Sequence, residues 1–366
     1  MTSREQQILA LIRENPMTRQ QAIASTLGIS RSAVAGHIMN LTNKGLIKGR
    51  GYVLSDPAFV AVIGGANMDI HGRSDETLRS NDSNPGVVHT SAGGVARNIA
   101  EGLARLGIDC RLVSAVGNDQ HGRMLLRLGR EAGIDMQYVQ QFESAATSTY
   151  LSVLDNTGDM RVAVADMSII DKLTANRLQQ IQPMLNQASL IILDTNLPDD
   201  ALAWLAHTFA RHTIFADTVS TAKALRIKPY LSSIHTLKTS AIEAEALTGR
   251  KARTQADLRS LAGWVHAQGV ERLFVTRGAQ GVFYSTGDAQ GVDKLKGPRR
   301  DVRNAGGAGD AFLATLAYAW LEDWPLDKSL QYALAAADLT LSDPATSSPA
   351  LSLTAIHQTV ENQHAG

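Results

Sequence analysis

Apolar side chains recur with a helical period over the first part of the chain. Between residues 4 and 45 they fall three or four positions apart, as at Ile8, Leu9 and Ile12, and this spacing predicts three helices. Thr18 and Ser30 are the predicted N-caps of the second and third helices, and a glycine follows each of these helices. Two short helices joined by the segment GIS are typical of a helix-turn-helix. The following segment LIKGRGYVL predicts a small β-hairpin that turns at residues 49–51.

From residue 58 onward the pattern changes to apolar runs of strand length that alternate with amphipathic helical stretches. The runs include FVAVIGGANMDI, LIILDTN, IHTLKTS and RLFVTRG. This alternation predicts an α/β fold with a mostly parallel sheet and helices on both faces. Two stretches break it, HGRSDETLRSNDSNPGVVHT and TSTYLSVLDNTGDMRVAVADMSI. We predict that they form a small antiparallel sheet over one edge of the main sheet, with a turn at residues 156–159.

Charge divides the chain at the same place. Residues 1–55 hold seven Lys or Arg and two Glu, whereas the whole chain of 366 residues has a formal net charge of zero. We therefore predict a basic domain at residues 1–55 and a second domain at residues 58–366, with different partners. The single cysteine, Cys110, excludes an internal disulfide. The chain lacks an apolar run of about eighteen residues and a signal-peptide core, so we expect a cytoplasmic protein with no membrane partner.

The basic segment resembles the winged helix-turn-helix of bacterial regulators. The likeness rests on TRQQAIASTLGISRSAVAGHI and on the basic hairpin after it. It implies DNA binding with the third helix in the major groove and the hairpin at the backbone. The residues expected at DNA are Arg31, Ser32, Ala35 and His37 near base edges and Lys48 and Arg50 at phosphates. The alternative is a basic helical domain that only dimerises the chain.

The segment NAGGAGDAF, residues 304–312, places glycines at the start of an apolar helical stretch. A helix start offers free backbone amides, and glycine lets that backbone approach a ligand closely. Gly307, Ala308 and Gly309 are therefore expected to bind an anion, and a phosphate is the one that fits best. Asp310 would repel an anion but suits a base that takes a proton from an attacking hydroxyl. The alternative is a tight turn with an acid that favours the helix dipole.

A second glycine pair opens another predicted helix. SAGGVARNIAEGLARLG places Gly93 and Gly94 at a helix start with Asn98 one turn further, and GGANMD leaves Asn67 and Asp69 at a strand end. Together with the first motif, these residues resemble the PfkB, or ribokinase-like, family of small-molecule kinases over residues 58–355. The resemblance implies a ribokinase-like fold, with the small sheet as a lid, and ATP-dependent phosphorylation of a primary hydroxyl on a sugar or nucleoside.

The resemblance also implies roles for individual residues. Asp310 would be the catalytic base, and Gly307, Ala308 and Gly309 the anion hole. Asp69 would hold sugar hydroxyls with Asn67, Gly93, Gly94 and Asn98. VTRGAQGVFY matches the strand and turn on the ATP side of the family. The residues implied at the nucleotide there are Thr276, Gly278 and Gly281.

Three positions differ from the family pattern or vary within it. LKTSAIEAEALTG matches the segment that normally reads Asn-x-x-Glu and holds Mg²⁺ through water; Glu243 is kept, but Ser240 replaces the asparagine. Gly306 stands where the family usually has threonine. Asn304 stands where the family often binds a monovalent cation, so K⁺ joins ATP and Mg²⁺ among the implied cofactors.

Within the family, the segments SNDSNPG, GGVARNIA, STYLSVLDNTGDMRVAVADMSI and IHTLK are similar to those of pseudouridine kinases. The likeness implies that a lid closes over the base of a nucleoside. The residues expected to reach the base or ribose are Thr149, Tyr150, Asp166 and Asn196, although packing or turn capping would explain each of them. The alternatives are another sugar or nucleoside kinase, and a ligand-sensing regulator with a catalytically weak kinase fold. A homodimer is expected from the family and from the symmetry of most operators.

Overall fold

A computed structural model describes residues 1–48, 58–287, 290–293, 306–343 and 345–364. The chain forms two compact units, Met1–Pro57 and Ala58–Gly366. Within the described part of the chain, no helix combines the length and the apolar character needed to cross a lipid bilayer.

The first unit contains three helices, α1 (Ser3–Glu14), α2 (Gln20–Leu27) and α3 (Arg31–Asn43). Apolar side chains from all three helices, among them Ile8, Ile23 and Val34, form one buried core. Ser30 caps α3 as predicted, because its hydroxyl accepts a hydrogen bond from the backbone of Ala33. The predicted helix-turn-helix is therefore confirmed.

One capping prediction in this unit was wrong. Thr18 does not cap α2; the residue at the N-cap position is Arg19, which makes no side-chain capping bond. The helix starts one residue later than the capping signal suggested. Most of the predicted hairpin LIKGRGYVL, from residue 49 onward, lies outside the described residues.

The second unit alternates strands and helices. Its strands are β1 (Val60–Ile63), β2 (Asn67–Ser74), β3 (Gly86–Gly93), β4 (Cys110–Gly117), β5 (Val139–Phe142), β6 (Thr149–Leu154), β7 (Met160–Asp166), β8 (Leu190–Asp194), β9 (Ile214–Asp217), β10 (Thr236–Ser240), β11 (Arg272–Thr276), β12 (Val282–Ser285) and β13 (Gln290–Asp293). Its helices are α4 (Val95–Arg105), α5 (Gln120–Glu131), α6 (Ala175–Gln179), α7 (Gln182–Leu185), α8 (Asp199–Thr208), α9 (Thr221–Ala224), α10 (Ala241–Thr248), α11 (Gln255–Ala267), α12 (Ala308–Leu321), α13 (Leu326–Leu341) and α14 (Leu353–His364).

Among the described residues, the main sheet has the strand order β13-β12-β11-β10-β9-β8-β1-β4-β5. Neighbours from β11 to β5 pair in parallel, and β12 pairs antiparallel with both β11 and β13. The predicted mostly parallel sheet is confirmed. Because parallel strands end at the same edge, the residues that follow β1, β8, β9 and β10 come together at one side of the sheet.

Both faces of the sheet are buried. Val62 and Ile192 belong to a core that includes apolar residues of α4 and α12, whereas Ile63 and Leu193 face a second core with α8, α10 and α11. Helix α12 approaches α4 closely at Gly102, where a Cβ would lie 2.8 Å from the Cβ of Ala314. Strands that are covered on both faces explain the continuous apolar runs in the sequence.

A second sheet, the lid, has the order β3-β2-β6-β7. The predicted turn between β6 and β7 is confirmed, but the lid is not wholly antiparallel, because β2 and β6 pair in parallel. The exposed apolar side chains of the lid include Val88, Leu151, Val162 and Val164. The pairing registers place all four on one face, opposite the face that carries Asp69.

Candidate active site

The first turn of α12 holds the first of the two predicted glycine motifs. Gly307 is the N-cap of α12 and has a φ of 76°, a left-handed conformation that favours glycine. A Cβ at Gly307 would lie 1.6 Å from the carbonyl oxygen of Thr346, so no other residue fits there. Ala308 and Gly309 follow in the first turn, where backbone amides lack partners within the helix. The backbone of Gly307, Ala308 and Gly309 therefore has the geometry of an anion site.

Asp310 lies buried in this same turn, with 6% of its surface exposed. Its Oδ2 accepts a hydrogen bond of 2.9 Å from the side-chain amide of Asn98 in the first turns of α4. Burial, with the nearby carboxylates of Asp217 and Asp194, raises the pKa of Asp310 to about 8, although Lys238 and Asn98 act in the opposite direction. A carboxyl group with a raised pKa is a strong proton acceptor once it is ionised.

Carboxylates also end the two central strands β8 and β9. Asp194 accepts hydrogen bonds from the backbone amides of Gly65 (2.9 Å) and Ala96 (3.0 Å), so it ties the end of β8 to the loop after β1 and to the start of α4. Burial raises the pKa of Asp194, and these hydrogen bonds offset part of that effect. Asp217 accepts a hydrogen bond of 2.8 Å from the ammonium of Lys238 on β10. Sequence reasoning missed these three residues. For the two aspartates, an acid at the end of an apolar strand, as in LIILD and IFAD, was the available signal.

The second glycine motif packs against Asp69. The side-chain amide of Asn67 donates a hydrogen bond of 2.6 Å to Oδ1 of Asp69. A Cβ at Gly93 would lie 2.0 Å from Oδ2 of Asp69, so the carboxylate packs directly on the glycine backbone. Burial raises the pKa of Asp69, although the hydrogen bond from Asn67 acts in the opposite direction. Gly94, with a φ of 102°, is the N-cap of α4, so Asp69 and Asn98 are brought to the same helix start.

The residues predicted for the nucleotide lie at the ends of β10 and β11. Thr276 pairs with Ser240 in register, and its hydroxyl donates a hydrogen bond of 3.3 Å to the carbonyl of Thr239. Gly278 and Gly281 follow in a short turn with φ values of 53° and 86°. Asn304 lies outside the described residues.

Ser240 and Glu243 form a reciprocal capping box at the start of α10. The hydroxyl of Ser240 accepts from the amide of Glu243, and Oε2 of Glu243 accepts from the amide of Ser240 (2.9 Å) and the hydroxyl of Thr218 (2.6 Å). Within the described residues, no group of three His, Cys, Asp or Glu side chains could hold a metal ion. A carboxylate that reaches Mg²⁺ through water needs no such cage, because Mg²⁺ keeps several waters and takes substrate phosphates as ligands.

The four lid residues predicted near the base do not share one location. Tyr150 is opposite Asp69 in the pairing register and therefore lies on the same face of the lid. Thr149 and Asp166 are opposite Met68 and each other, so they lie on the other face. Asp166 is exposed and accepts hydrogen bonds from Ser168, which lower its pKa.

Asn196 lies beside the loop after β1. A Cβ at Gly65 would lie 2.7 Å from its Nδ2, and its Oδ1 accepts a hydrogen bond from Lys223.

A histidine that sequence reasoning missed also lies on the Asp69 face of the lid. Nδ1 of His71 makes a hydrogen bond of 2.6 Å with the hydroxyl of Ser152, and its ring lies edge-to-face with Tyr150. Its Nε2 is buried and has no hydrogen-bond partner among the described residues. The signal for His71 was its position two residues after Asp69 on one strand, since alternate residues share a face.

The predicted DNA-contact residues divide by exposure. Arg31, Ser32 and Ala35 are exposed on α3 and Lys48 is exposed after it, whereas His37 is half-buried. The buried residues of α3 are Val34, Ile38 and Leu41, so the helix presents a different face to the core. Arg50 lies outside the described residues.

Both units of the chain match known protein families. Residues 57–353 match the pfkB family carbohydrate kinase model, and residues 1–48 match a winged helix-turn-helix DNA-binding model. The chain is 38% identical over 352 residues to the uncharacterized sugar kinase YeiI of Escherichia coli K12, covering 96% of this chain and 97% of that protein. It is 39% identical over 305 residues to the pseudouridine kinase of the same organism, covering 83% of this chain and 97% of that kinase.

Solved structures show the same fold. A putative sugar kinase from Clostridium perfringens is 30% identical, with a TM-score of 0.73 over 84% of this chain and 96% of that one. A putative ribokinase II from E. coli in complex with ATP and Mg²⁺ is 20% identical, with a TM-score of 0.73 over 84% of this chain and all of that one.

Proposed function

The chain belongs to the pfkB family of carbohydrate kinases, and on that premise we propose that it transfers the γ-phosphoryl group of ATP to the 5′-hydroxyl of a nucleoside, with pseudouridine as the substrate. The observation that carries the proposal is the buried carboxylate of Asp310. It lies in the same helical turn as the amides of Gly307–Gly309 and accepts a hydrogen bond from Asn98 of α4. A base and an anion site in one turn are what phosphoryl transfer to a hydroxyl needs.

Asp310 is the proposed catalytic base. Its ionised carboxylate accepts the proton of the 5′-hydroxyl as the oxygen attacks the γ-phosphorus, and the bond from that phosphorus to the bridging oxygen of ADP breaks. The amides of Gly307, Ala308 and Gly309 stabilise the negative charge on the transferring group. Because the pKa of Asp310 is raised to about 8, the fraction of ionised base increases with pH through the neutral range.

Other residues position the two substrates. Asp69 and Asn67, fixed over Gly93, are proposed to bind the ribose diol, with Gly94 and Asn98 completing that side. Thr276, Gly278 and Gly281 are proposed at the nucleotide, and Ser240 fixes Glu243 at the position for water-mediated Mg²⁺ binding. Bound Mg²⁺ would neutralise charge on the β- and γ-phosphates. ATP and Mg²⁺ are supported by one structure of this fold that holds both; K⁺ at Asn304 stays a prediction.

Pseudouridine is favoured by the likeness to the E. coli pseudouridine kinase. The Asp69 face of the lid adds hydrogen-bonding side chains, Tyr150 and the His71–Ser152 pair, that could read a polar base edge. A buried group left unpaired costs about 1–3 kcal/mol, so such contacts discriminate between bases. Asn196 is the proposed contact from the main sheet, whereas Thr149 and Asp166 lie on the face of the lid opposite Asp69 and are not part of the proposal. The alternative is another sugar or nucleoside, since YeiI matches over more of the chain.

A panel of acceptors tests the proposal. ATP consumption is measured with pseudouridine, uridine, inosine, ribose and fructose phosphates, and Asp310→Asn serves as the inactive control. We expect turnover with pseudouridine at the highest kcat/KM, and loss of at least about a hundredfold in the variant, the scale of general-base catalysis. Turnover of a sugar in preference to every nucleoside would refute the nucleoside assignment, and no turnover of any acceptor would refute the kinase.

The N-terminal unit supports a second function, DNA binding that responds to the kinase substrate. Arg31, Ser32 and Ala35 are exposed on α3, and the matching model is a DNA-binding one. Ser240 and Gly306, which depart from the family pattern, favour a version in which the kinase fold only senses its ligand. Salt-dependent binding to the promoter beside the coding region, measured with and without pseudouridine, tests this function. A protein that lacks residues 1–57 is expected not to bind this DNA. Equal DNA binding with and without residues 1–57 would contradict the proposed function of the N-terminal unit.

Oligomeric state and location stay predictions. The exposed apolar side chains of the lid, including Val88, Leu151, Val162 and Val164, support a homodimer, because monomers rarely leave such a patch uncovered. Light scattering of the full chain checks the dimer, and a monomer at micromolar concentration would contradict it. A cytoplasmic location follows from the proposed use of ATP and DNA.

A further inference from the structure

Lys238 is a buried cation in the middle of the main sheet. Only 10% of its side chain is exposed, and its ammonium donates a hydrogen bond of 2.8 Å to Oδ2 of Asp217 on the neighbouring strand β9. Lysine is rarely buried unless it is paired. Burial alone would lower the pKa of Lys238, but Asp217 and Asp310 outweigh that effect and raise the pKa above its usual value. The side chain is therefore charged at neutral pH.

The ammonium lies against the first turn of α12. A Cβ at Gly309 would lie 2.5 Å from Nζ and 3.0 Å from Cε of Lys238, so the lysine fills the space that a side chain at 309 would need. Glycine is therefore required at position 309 for a second reason, besides the proposed approach of a phosphate to the backbone. It admits a fixed cation to the helix start that carries Asp310.

The anionic partner of this lysine is itself fixed. Oδ1 of Asp217 accepts a hydrogen bond of 2.8 Å from the amide of Val219, which turns the chain sharply after β9. Val219 has a φ of 60°, a conformation that a β-branched residue adopts rarely and at a cost. The hydrogen bond holds that turn, and Lys238 is anchored between a rigid carboxylate and the backbone of α12.

We propose that Lys238 is a positioning residue for phosphoryl transfer: paired with Asp217 and packed on Gly309, it stabilises the ionised form of Asp310 and adds positive potential beneath the anion site. This rests on the proposed kinase function. The groups that act on Asp310 are Lys238 from β10, Asp217 from β9, Asp194 from β8 and Asn98 from α4. Lys238 is the cation among these four, so it offsets the two neighbouring carboxylates.

The test uses substitutions whose effects have opposite signs. Lys238→Met removes the cation, so the acidic limb of the kcat profile moves up by about one pH unit, and kcat at pH 7 falls about tenfold. Asp217→Asn removes an anion and moves the same limb to lower pH. The double variant, which leaves no unpaired buried charge, lies between them. KM for the acceptor should change by less than about threefold in all three variants, because none of the changed groups is a proposed acceptor-binding residue.

The control is Lys251→Met, an exposed lysine beyond the far end of α10, which should leave the profile unchanged. A purely structural role for Lys238 would lower kcat equally at every pH in all three site variants, and that result would overturn the proposal. If Lys238→Met does not fold, Asp217→Asn and the double variant still show the direction in which the acidic limb of the kcat profile moves. Titration of the Asp310 carboxyl by ¹³C NMR measures the same shifts without turnover. A wild-type protein that phosphorylates no acceptor would refute the kinase proposal. The effect of Lys238 on the ionisation of Asp310 would then be tested by the NMR titration alone, and an unchanged titration in Lys238→Met would refute it.

Discussion

The side-chain amide of Asn98 donates a hydrogen bond to Oδ2 of Asp310, joining the starts of α4 and α12 across 212 positions of the chain. Each helix start carries one of the two glycine motifs. The bond therefore couples the residues proposed for the acceptor sugar to the proposed base.

Replacement of Asn98 should change the pH dependence of the reaction. Asn98→Ala removes a hydrogen bond that lowers the pKa of Asp310, so the acidic limb of kcat moves to higher pH and the rate at pH 7 falls. Asn98→Asp adds a second carboxylate and should move the limb further. Steady-state kinetics between pH 6 and pH 9.5 measure both effects, with the exposed Asn186→Ala as the control. A limb that stays in place in both variants would contradict the coupling.

Asp310 should reduce the stability of the folded protein at high pH. Folding raises the pKa of Asp310 from 3.8 to about 8. The free energy of unfolding is therefore not reduced by Asp310 below pH 3.8, and it falls as the pH rises from there to about 8. Asp310→Asn cannot ionise and should be more stable than the wild type at pH 8, by at least about 1.4 kcal/mol, the equivalent of one pKa unit.

Urea unfolding at pH 5 and pH 8 checks this prediction. The difference between variant and wild type should grow with pH, whereas the exposed Asp82→Asn should show a difference that does not. A wild type that is the more stable protein at pH 8 would be the contrary result.

A methyl group at Gly93 should weaken acceptor binding. It would lie 2.0 Å from Oδ2 of Asp69, so the carboxylate must move. Gly93→Ala is expected to raise KM for the nucleoside at least about tenfold, a cost of about 1.4 kcal/mol, with little change in KM for ATP. The exposed helical glycine Gly263 has open space around it, and Gly263→Ala is the matched control. An equal rise in both KM values would place Asp69 elsewhere than at the acceptor.

Two substitutions in the N-terminal unit should separate phosphate contact from base contact. Lys48→Ala should weaken DNA binding for all sequences and reduce the salt slope by about one. Arg31→Ala should instead reduce the preference for the operator over random DNA. Fluorescence anisotropy at several salt concentrations measures both, and Arg13→Ala, an exposed arginine on α1, is the control. Identical effects of all three variants would indicate non-specific attraction only.

The sequence predicted the elements of the main sheet because strands buried on both faces leave an unmistakable pattern. Runs such as LIILD are apolar at every position but the last, and the parallel sheet follows from their alternation with helices. Partners across the lid were harder to predict. β2 and β6 lie about eighty residues apart, and nothing local specifies that they pair in parallel. The antiparallel prediction came from the hairpin signal, which covers β6 and β7 only.

The candidate site was predictable where glycine marks close approach. Gly93 and Gly307 signalled the two helix starts, Asp310 followed from the second, and Asp69 followed from the glycine-rich end of the preceding strand. Lys238 was not predictable in the same way, because a lysine in a short strand normally indicates an exposed position. Its burial depends on Asp217, twenty-one residues earlier, and only the adjacency of β9 and β10 brings the two together.

The close contact between Gly307 and the carbonyl of Thr346 has a consequence for biosynthesis. Both glycine motifs leave the ribosome before residue 346, but the segment at Thr346, which also bonds to Ala92 through its hydroxyl, packs against each of them. A nascent chain that ends before this segment lacks the backbone that packs behind Gly307 and the proposed anion site. We therefore expect a fragment that stops before residue 346 to lack the proposed phosphoryl-transfer activity.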